Sequence, residues 1–249
     1  IIAGPNGVDN KDLMEGVIKF LLSCNVNIIR GHVFKPLTFP YRSNMYNDSS
    51  VEGLNWIDNL KKKYPKIAIV SEITEIQYLE RLCQTADILQ IGSRNMQNLE
   101  LLREVAKTGK PIILKRHFGA SLRDWFGAAE HILVEGNENL ILCERGVAAP
   151  HTHKITSRFM LDIQAIVAAN DLTSVPIISD PSHASFWAPW VEKLALASVA
   201  AGCDGLIIEV HPEPSKSKVD PLQPLNYKEF KSLNKKVRLL SKTMSRKII

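Results

Sequence analysis

The sequence predicts a (β/α)₈ barrel, and three observations support this prediction. The chain has 249 residues, close to the ~250 typical of such a barrel. Short β-rich runs alternate with longer amphipathic stretches, which favours a parallel sheet with helical crossovers. Eight such units fit this length, and no linker, low-complexity tract or composition shift divides them. We therefore expect residues 1–249 to form one domain.

The expected strands are runs rich in β-branched residues, at 1–4, 27–34, 67–73, 88–92, 111–115, 140–144, 176–180 and 205–210. Helices are expected between and after them, at 11–23, 51–64, 98–108, 122–135, 157–169, 189–201 and 227–240. The main alternative is an open, doubly wound sheet. Such a sheet usually carries a glycine-rich phosphate loop after its first strand. Gly4-Pro5-Asn6-Gly7 is too short for that loop, so the closed barrel is favoured.

Composition excludes several classes of partner. Apolar residues make up 45% of the chain and charged residues 23%, and no apolar run approaches the ~20 residues of a membrane span. The net charge of +5 is not concentrated in a stripe or tail, as in many nucleic-acid binders. The single basic run, Lys61-Lys62-Lys63, is expected to be a solvated helix end. We expect no nucleic-acid or membrane partner, but a small anionic ligand.

The four cysteines indicate a reducing compartment. Cys24, Cys83, Cys143 and Cys203 are scattered in apolar surroundings without a Cys-x-x-Cys spacing. This pattern is typical of reduced core cysteines in a cytoplasmic protein.

Polar and charged side chains follow the predicted strands, at the end of a barrel where catalytic groups lie. The strand starts are instead apolar or marked by proline and glycine. Any one of these charges could be solvated or salt-bridged, but their joint placement predicts an active site. In chain order they are Asn6; Arg30, Lys35 and Thr38; Glu72; Arg94; Lys115 and Arg116; Glu144 and Arg145; Asp180 and His183; and Glu209 and His211.

Among the cations of this set, five are expected to meet at one mouth, where they would repel one another without a polyanion. Arginine binds phosphate and carboxylate through its fork, and lysine acts as a point charge. A small ligand with both anionic groups would satisfy Arg30, Lys35, Arg94, Lys115 and Arg145. His183, Glu209 and Asp220 also offer nitrogen and oxygen ligands suited to a divalent metal.

Several motifs at these strand ends occur in a fixed order. They are Ile91-Gly92-Ser93-Arg94-Asn95-Met96-Gln97-Asn98, Ile113-Leu114-Lys115-Arg116, Glu135-Gly136-Asn137-Glu138-Asn139, Leu142-Cys143-Glu144-Arg145-Gly146, Asp180-Pro181-Ser182-His183-Ala184 and Glu209-Val210-His211-Pro212. Over essentially the whole chain, the sequence resembles the 3-deoxy-7-phosphoheptulonate (DAHP) synthases. It is most similar to their short branch, which also resembles the KDO8P synthases.

The resemblance implies an aldol-type condensation of phosphoenolpyruvate with an aldose phosphate, with erythrose 4-phosphate as the expected acceptor. It implies that Arg30, Lys35, Arg94, Lys115 and Arg145 bind phosphoenolpyruvate, with Thr38 also in contact with substrate. Lys35 would polarise the aldehyde oxygen as well. The family places this reaction in the shikimate pathway, which leads to the aromatic amino acids. Its members are usually tetramers, so we expect a homo-oligomer, either a tetramer or a dimer.

One departure from the family concerns metal. The family's metal ligands fall at Asn6, His183, Glu209 and Asp220, but the metal-dependent members have cysteine at the first position. Asparagine there resembles the metal-independent KDO8P synthases, in which it organises water and substrate. We therefore expect these four residues to be catalytic and no cofactor to be required. The alternative is a divalent metal held weakly by His183, Glu209 and Asp220.

A second departure lies in the acceptor loop. DAHP synthases typically read Lys-Pro-Arg-Thr-Ser-Pro, whereas this chain reads Lys35-Pro36-Leu37-Thr38-Phe39-Pro40. Replacing arginine by Leu37 removes a charge-assisted contact worth roughly 1.5–3 kcal/mol. His117 also replaces a family glycine after Lys115-Arg116. Three interpretations stay open: a DAHP synthase with an altered loop, a sister synthase for another aldose such as arabinose 5-phosphate, or a non-catalytic descendant that binds phosphoenolpyruvate.

Overall fold

The computed structural model of the protein describes residues 1–34, 50–150 and 159–248. Its eight strands form a closed parallel barrel, in which each strand pairs with the next and the last pairs with the first. This confirms the predicted fold class. The strands are β1 (Ile2–Gly4), β2 (Ile28–Arg30), β3 (Ala68–Ile73), β4 (Ile88–Ile91), β5 (Ile112–Lys115), β6 (Leu140–Glu144), β7 (Ile177–Ser179) and β8 (Gly205–Glu209).

Helices connect the strands. Within the described ranges they are α1 (Lys11–Ser23), α2 (Ser50–Lys63), α3 (Leu79–Thr85), α4 (Leu99–Ala106), α5 (Leu122–Leu133), α6 (Ile163–Leu172), α7 (Pro181–Ser185), α8 (Ala188–Ala200) and α9 (Tyr227–Thr243). Side chains cap several of their N-termini, which fixes where they begin. Ser121 and Asn226 each form a capping box, at the starts of α5 and α9.

The structure corrects three sequence predictions. The helix predicted at 157–169 begins later, because Met160 forms an antiparallel bridge with Val147 and Asp162 caps α6. Strand β2 ends at Arg30, well short of the predicted 27–34. Lys61, expected to be solvated, donates to the Thr85 carbonyl and to Asp87, both at 2.8 Å. These contacts tie the end of α2 to the segment that leads into β4.

Apolar side chains fill two regions, one on each side of the barrel wall. The larger packs the strands against the helices and includes the fully buried Trp125, whose indole N–H donates to the Leu114 carbonyl at 3.2 Å. The smaller occupies the barrel interior and consists of Ile2, Val70, Ile113, Cys143, Ile178 and Ile207. Among the described residues, no helix is long and apolar enough to cross a membrane.

Two glycines let backbone or side chains approach closely at the carboxyl ends of the strands. A Cβ atom at Gly4, where φ is +147°, would lie 2.1 Å from the carbonyl oxygen of Arg30. A Cβ atom at Gly92 would lie 2.0 Å from Oε1 of Glu72. Any larger residue at either position would therefore displace a polar group at the mouth of the barrel.

Candidate active site

The alternation of side chains along each strand builds a polar layer directly above the apolar interior. Successive residues of a strand point to opposite faces, so the residue two positions after an interior residue also points inward. On β5, for example, Ile113 belongs to the apolar interior and Lys115 follows above it. The same spacing yields the rest of the layer: Arg30, Glu72, Gln90, Arg145, Asp180 and Glu209.

Lys115, Asp180 and His183 form a buried triad at the ends of β5 and β7. The Lys115 ammonium lies 2.5 Å from Oδ2 of Asp180, and Nδ1 of His183 lies 2.9 Å from the same oxygen. The other carboxylate oxygen, Oδ1, caps α7 by accepting the His183 backbone N–H at 3.0 Å. Asp180 thus fixes both a cation and an imidazole at the mouth of the barrel.

This triad also sets the charge states of its members. Burial by itself would raise the pKa of Asp180, but His183 and Lys115 together outweigh burial and hold that pKa well below its usual value. Burial, together with the positive charges of Lys115 and Arg30, lowers the pKa of His183 well below its usual value, although Asp180 opposes the shift. The ring is therefore neutral. With its hydrogen on Nδ1, facing Asp180, it presents the lone pair of Nε2.

Arg30 and Glu209 form a second buried ion pair, on β2 and β8. A guanidinium nitrogen of Arg30 lies 3.2 Å from Oε2 of Glu209 and donates to the Gly4 carbonyl at 3.3 Å. The same Oε2 accepts from the Gln223 side chain at 2.5 Å and lies 3.9 Å from Nε2 of His183. The two ion pairs are therefore neighbours, joined through His183.

Arg116 directly follows β5 and Arg145 directly follows the neighbouring strand β6, but their side chains have different surroundings. Arg116 lies outside the barrel wall, where it donates to Glu144 and Asp162, both at 3.0 Å. Burial raises the pKa of Glu144, although Arg116 opposes the shift. Arg145 is 6% exposed and stacks its guanidinium 4.4 Å from the centroid of the Phe159 ring. Of these two arginines, Arg145 is thus placed to face a ligand.

The remaining predicted substrate-binding residues are either exposed or outside the described part of the chain. Arg94 follows β4 on a single 3₁₀ turn, Ser93–Asn95, and its side chain is exposed. Lys35 and Thr38 lie outside the described residues, as do Leu37 and Phe39 of the acceptor loop.

The expectation that the cations would repel one another in the absence of a ligand is wrong for at least two of them. Arg30 and Lys115 each have a buried carboxylate partner within hydrogen-bonding distance. Buried charges persist when paired in this way. The cations alone are therefore not evidence that a polyanion binds.

The arrangement of the predicted metal ligands does not fit a metal ion. Within the described parts of the chain, no three or more histidine, cysteine, aspartate or glutamate side chains are grouped to hold one. The Asn6 amide donates its hydrogen to Oδ2 of Asp220 at 3.2 Å, so it presents a donor there and not a ligand atom. Glu209 is engaged by Arg30 and Gln223. His183, Glu209 and Asp220 do not form a ligand set.

The sequence interpretation missed how this site is held together. Asp180 was noted as a charge after a strand and as part of a family motif, but not as a helix cap, although proline at the first helical position of Asp-Pro-Ser-His signals one. Gln223, which donates to Glu209, carries no sequence signal. Glu72 was predicted as a strand-end residue, but its buried partners His32 and Gln90 were not; the Gln90 amide lies 3.2 Å from Nε2 of His32 and donates to Glu72 at 3.2 Å.

Fold and site together define a barrel enzyme with a buried, charged site at the carboxyl ends of its strands, as in barrel enzymes generally. Comparison with known proteins identifies the family to which this enzyme belongs. The sequence model of the DAHP synthetase I family matches residues 1–246, and the chain belongs to that family. The predicted resemblance is thereby confirmed, and with it the predicted class of enzyme, a phosphoenolpyruvate-dependent synthase that forms a carbon–carbon bond.

Individual relatives agree with this assignment. Phospho-2-dehydro-3-deoxyheptonate aldolase of Thermotoga maritima is 34% identical over 248 residues, which span 100% of this chain and 71% of the relative. A 2-dehydro-3-deoxyphosphooctonate aldolase of Pisum sativum is 28% identical over 257 residues, 92% of this chain and 84% of the relative.

Solved structures support the fold across the whole chain. The crystal structure of the Thermotoga maritima DAHP synthase matches with a TM-score of 0.93 at 33% identity, over 100% of this chain and 70% of that one. A truncated form of the enzyme from the same organism matches with a TM-score of 0.90 at 32% identity, over 100% of this chain and 88% of that one.

Proposed function

We propose that the protein condenses phosphoenolpyruvate with erythrose 4-phosphate and releases DAHP and inorganic phosphate. Membership of the DAHP synthetase I family supports the reaction class, and the name of the Thermotoga maritima relative supports the product. The observation that carries the proposal is the buried network at the strand ends, in which Arg30, Lys115 and Arg145 stand beside His183 and Glu209.

In this proposal, phosphoenolpyruvate binds across the polar layer. Arg30, Lys115 and Arg145, with Arg94 and Lys35, contact its phosphate and carboxylate. Charge-assisted hydrogen bonds of this kind contribute about 1.5–3 kcal/mol each. Asp180 and Glu209 hold Lys115 and Arg30 in place before the substrate arrives, so little ordering of these side chains opposes binding.

The reaction then follows from the position of the substrate. C3 of phosphoenolpyruvate attacks the aldehyde carbon, water adds at C2, and the C2–O bond breaks as inorganic phosphate leaves. The cations position the substrate and stabilise the charge on the departing phosphate. Lys35 polarises the aldehyde oxygen, and Thr38 contacts the substrate. Asn6, His183, Glu209 and Asp220 organise the water and the aldehyde.

We propose that the reaction needs no metal. Asn6 supplies a neutral amide where a thiolate would bind a metal most strongly, and that amide is hydrogen-bonded to Asp220. Glu209 already accepts from Gln223 and pairs with Arg30. Both contacts involve Oε2, so an ion bound to that atom would compete with Arg30 and Gln223.

A second candidate is a sister synthase that uses arabinose 5-phosphate. It is favoured by Asn6 and by the similarity to the 2-dehydro-3-deoxyphosphooctonate aldolase of Pisum sativum. A non-catalytic descendant that binds phosphoenolpyruvate is a third, because the paired charges could persist without turnover.

The proposal also covers the domain organisation, the oligomeric state, the pathway and the cellular compartment. We infer a single catalytic domain that forms a homotetramer or homodimer and serves the shikimate pathway towards aromatic amino acids. The four cysteines are free thiols, which supports a reducing, cytoplasmic setting.

The test is a substrate panel. Purified protein is mixed with phosphoenolpyruvate and either erythrose 4-phosphate or arabinose 5-phosphate, and both the loss of phosphoenolpyruvate absorbance and the release of phosphate are followed. We expect turnover with erythrose 4-phosphate and not with arabinose 5-phosphate, and the release of one phosphate for each phosphoenolpyruvate consumed. Turnover with arabinose 5-phosphate alone would favour the sister synthase. Binding of phosphoenolpyruvate without turnover would favour the non-catalytic descendant.

A further inference from the structure

His117 stands at the mouth of the barrel, two residues beyond the buried Lys115. Its backbone N–H donates to the sulfur of Met96 at 3.1 Å, one residue after the turn that carries Arg94. On its other side, the ring lies 4.1 Å from the centroid of Phe118. Phe118 stacks on Phe159 at 5.2 Å, and Arg145 lies over Phe159. His117 is therefore held between two segments that each carry an arginine.

The hydrogen bonds of the imidazole define its tautomer. Nδ1 accepts from the backbone N–H of Gly119 at 3.1 Å, so a neutral ring carries its hydrogen on Nε2. No described residue accepts a hydrogen bond from that Nε2. Burial and, to a lesser extent, the positive charge of Arg145 lower the pKa of His117. The free protein thus holds a neutral N–H donor at a cationic mouth.

We propose that Nε2 of His117 donates to the phosphate group of bound phosphoenolpyruvate, and that the ring takes up a proton as this ligand binds. The inference rests on the proposed function, which assigns Arg94, Lys115 and Arg145 to the same ligand. An arriving dianion favours the protonated imidazole, because an adjacent negative charge stabilises a positive one. The ring then becomes a charged and stronger donor.

The charges around His117 favour this response. Arg145 reaches it from the end of β6, and the turn that carries Arg94 approaches from the end of β4. On its own strand, Lys115 is paired with Asp180, and Arg116 with Glu144 and Asp162. These acids lie against their own cations. The ligand would therefore supply the negative charge that protonates the ring.

Calorimetry in two buffers that differ in ionisation enthalpy measures the protons taken up for each phosphoenolpyruvate bound. The comparison is between the parent, His117→Gln and His117→Ala. Glutamine keeps an amide donor near the Nε2 position without titrating, and alanine removes the donor. Protons released by the phosphate itself cancel in this comparison. A matched control is His131→Gln on α5, where the ring faces Arg103 at 3.3 Å and not the mouth.

We expect the parent and His131→Gln to take up more protons than either His117 variant, by up to about one proton per ligand. His117→Ala should weaken binding roughly tenfold, as for the loss of one charged hydrogen bond. Equal proton counts in parent and variants would overturn the inference and leave the proposed function standing. So would an effect confined to the KM of the aldose phosphate. Failure of the parent to bind phosphoenolpyruvate would overturn both.

Discussion

The interior of the barrel has an apolar lower level and a polar upper level. Alternate residues of the same strands form both levels, but different interactions stabilise them. At the lower level, Ile113 and Ile207 contact other apolar side chains, and burial of apolar area stabilises them without directional demands. At the upper level, Lys115 and Glu209 follow on the same two strands and need particular partners, Asp180 and Arg30. The strand pattern places both levels, but only the upper one depends on particular pairs of oppositely charged residues.

This difference indicates why the upper level exists. Ion pairs taken out of water contribute little net stability, because their desolvation offsets their attraction. An apolar filling of the same volume would stabilise the barrel at least as well. The pairs are therefore explained better by function: they keep cations charged and positioned where a small anion can bind.

The largest effect is expected for Lys115→Ala. The substitution leaves the buried Asp180 carboxylate without its cation, so the free energy of unfolding should fall by about 3–5 kcal/mol. Phosphoenolpyruvate binding should be lost as well. Urea unfolding and calorimetry measure the two effects. The double variant Lys115→Met with Asp180→Asn removes both charges and should recover most of the stability but none of the binding. A single variant as stable as the parent would show that Lys115 does not offset the buried charge of Asp180.

Arg94→Ala should separate binding from stability. Arg94 is exposed at the mouth, so its loss should leave the melting temperature unchanged. Loss of one charge-assisted contact should weaken phosphoenolpyruvate binding by about 1.5–3 kcal/mol, roughly ten- to hundredfold. Unchanged affinity in calorimetry would place the substrate phosphate away from the end of β4.

Ile113→Val is the converse test at the lower level. Removing one methylene from the apolar interior should lower the free energy of unfolding by about 0.5–1.5 kcal/mol. The affinity for phosphoenolpyruvate should stay the same, although Lys115 is only two residues away. A marked loss of affinity would mean that the two levels are not independent.

Chelation should have the smallest effect, namely none on the parent rate. Asn6→Cys supplies a thiolate beside Asp220, but because His183, Glu209 and Asp220 do not form a ligand set, this variant should retain no more zinc through dialysis than the parent. Metal content and rate are measured before and after treatment with a chelator. Loss of all parent activity on chelation, with recovery on adding a divalent ion, would show that Asn6 does not mark a metal-independent site.

Local patterns in the sequence predicted most of the fold. The apolar β-rich runs located all eight strands, because each is buried on both faces and bounded by turn residues. Helix α3 was not predicted, since it has only seven residues and buries only Leu82 and Thr85. The early start predicted for α6 was wrong, because the bridge from Met160 to Val147 joins segments whose pairing no local pattern reveals.

The site was predicted less completely, for a related physical reason. Their positions at the ends of predicted strands identified Arg30, Lys115 and Glu209 as charges at one end of the barrel. It did not reveal that Asp180 pairs with Lys115 across 65 positions, or that Gln223 donates to Glu209. Such partners depend on the closure of the barrel. The prediction that the cations repel one another was wrong because it left out the buried carboxylates that pair with Arg30 and Lys115.

The placement of phosphoenolpyruvate across the polar layer is best tested by a structure of the protein with this ligand bound. We predict one molecule at the carboxyl ends of the strands, with its phosphate and carboxylate within hydrogen-bonding distance of Arg30, Lys115 and Arg145. The Lys115–Asp180 and Arg30–Glu209 pairs should keep their places. A ligand bound elsewhere, or one that leaves these three side chains without contact at saturating concentration, would contradict the account.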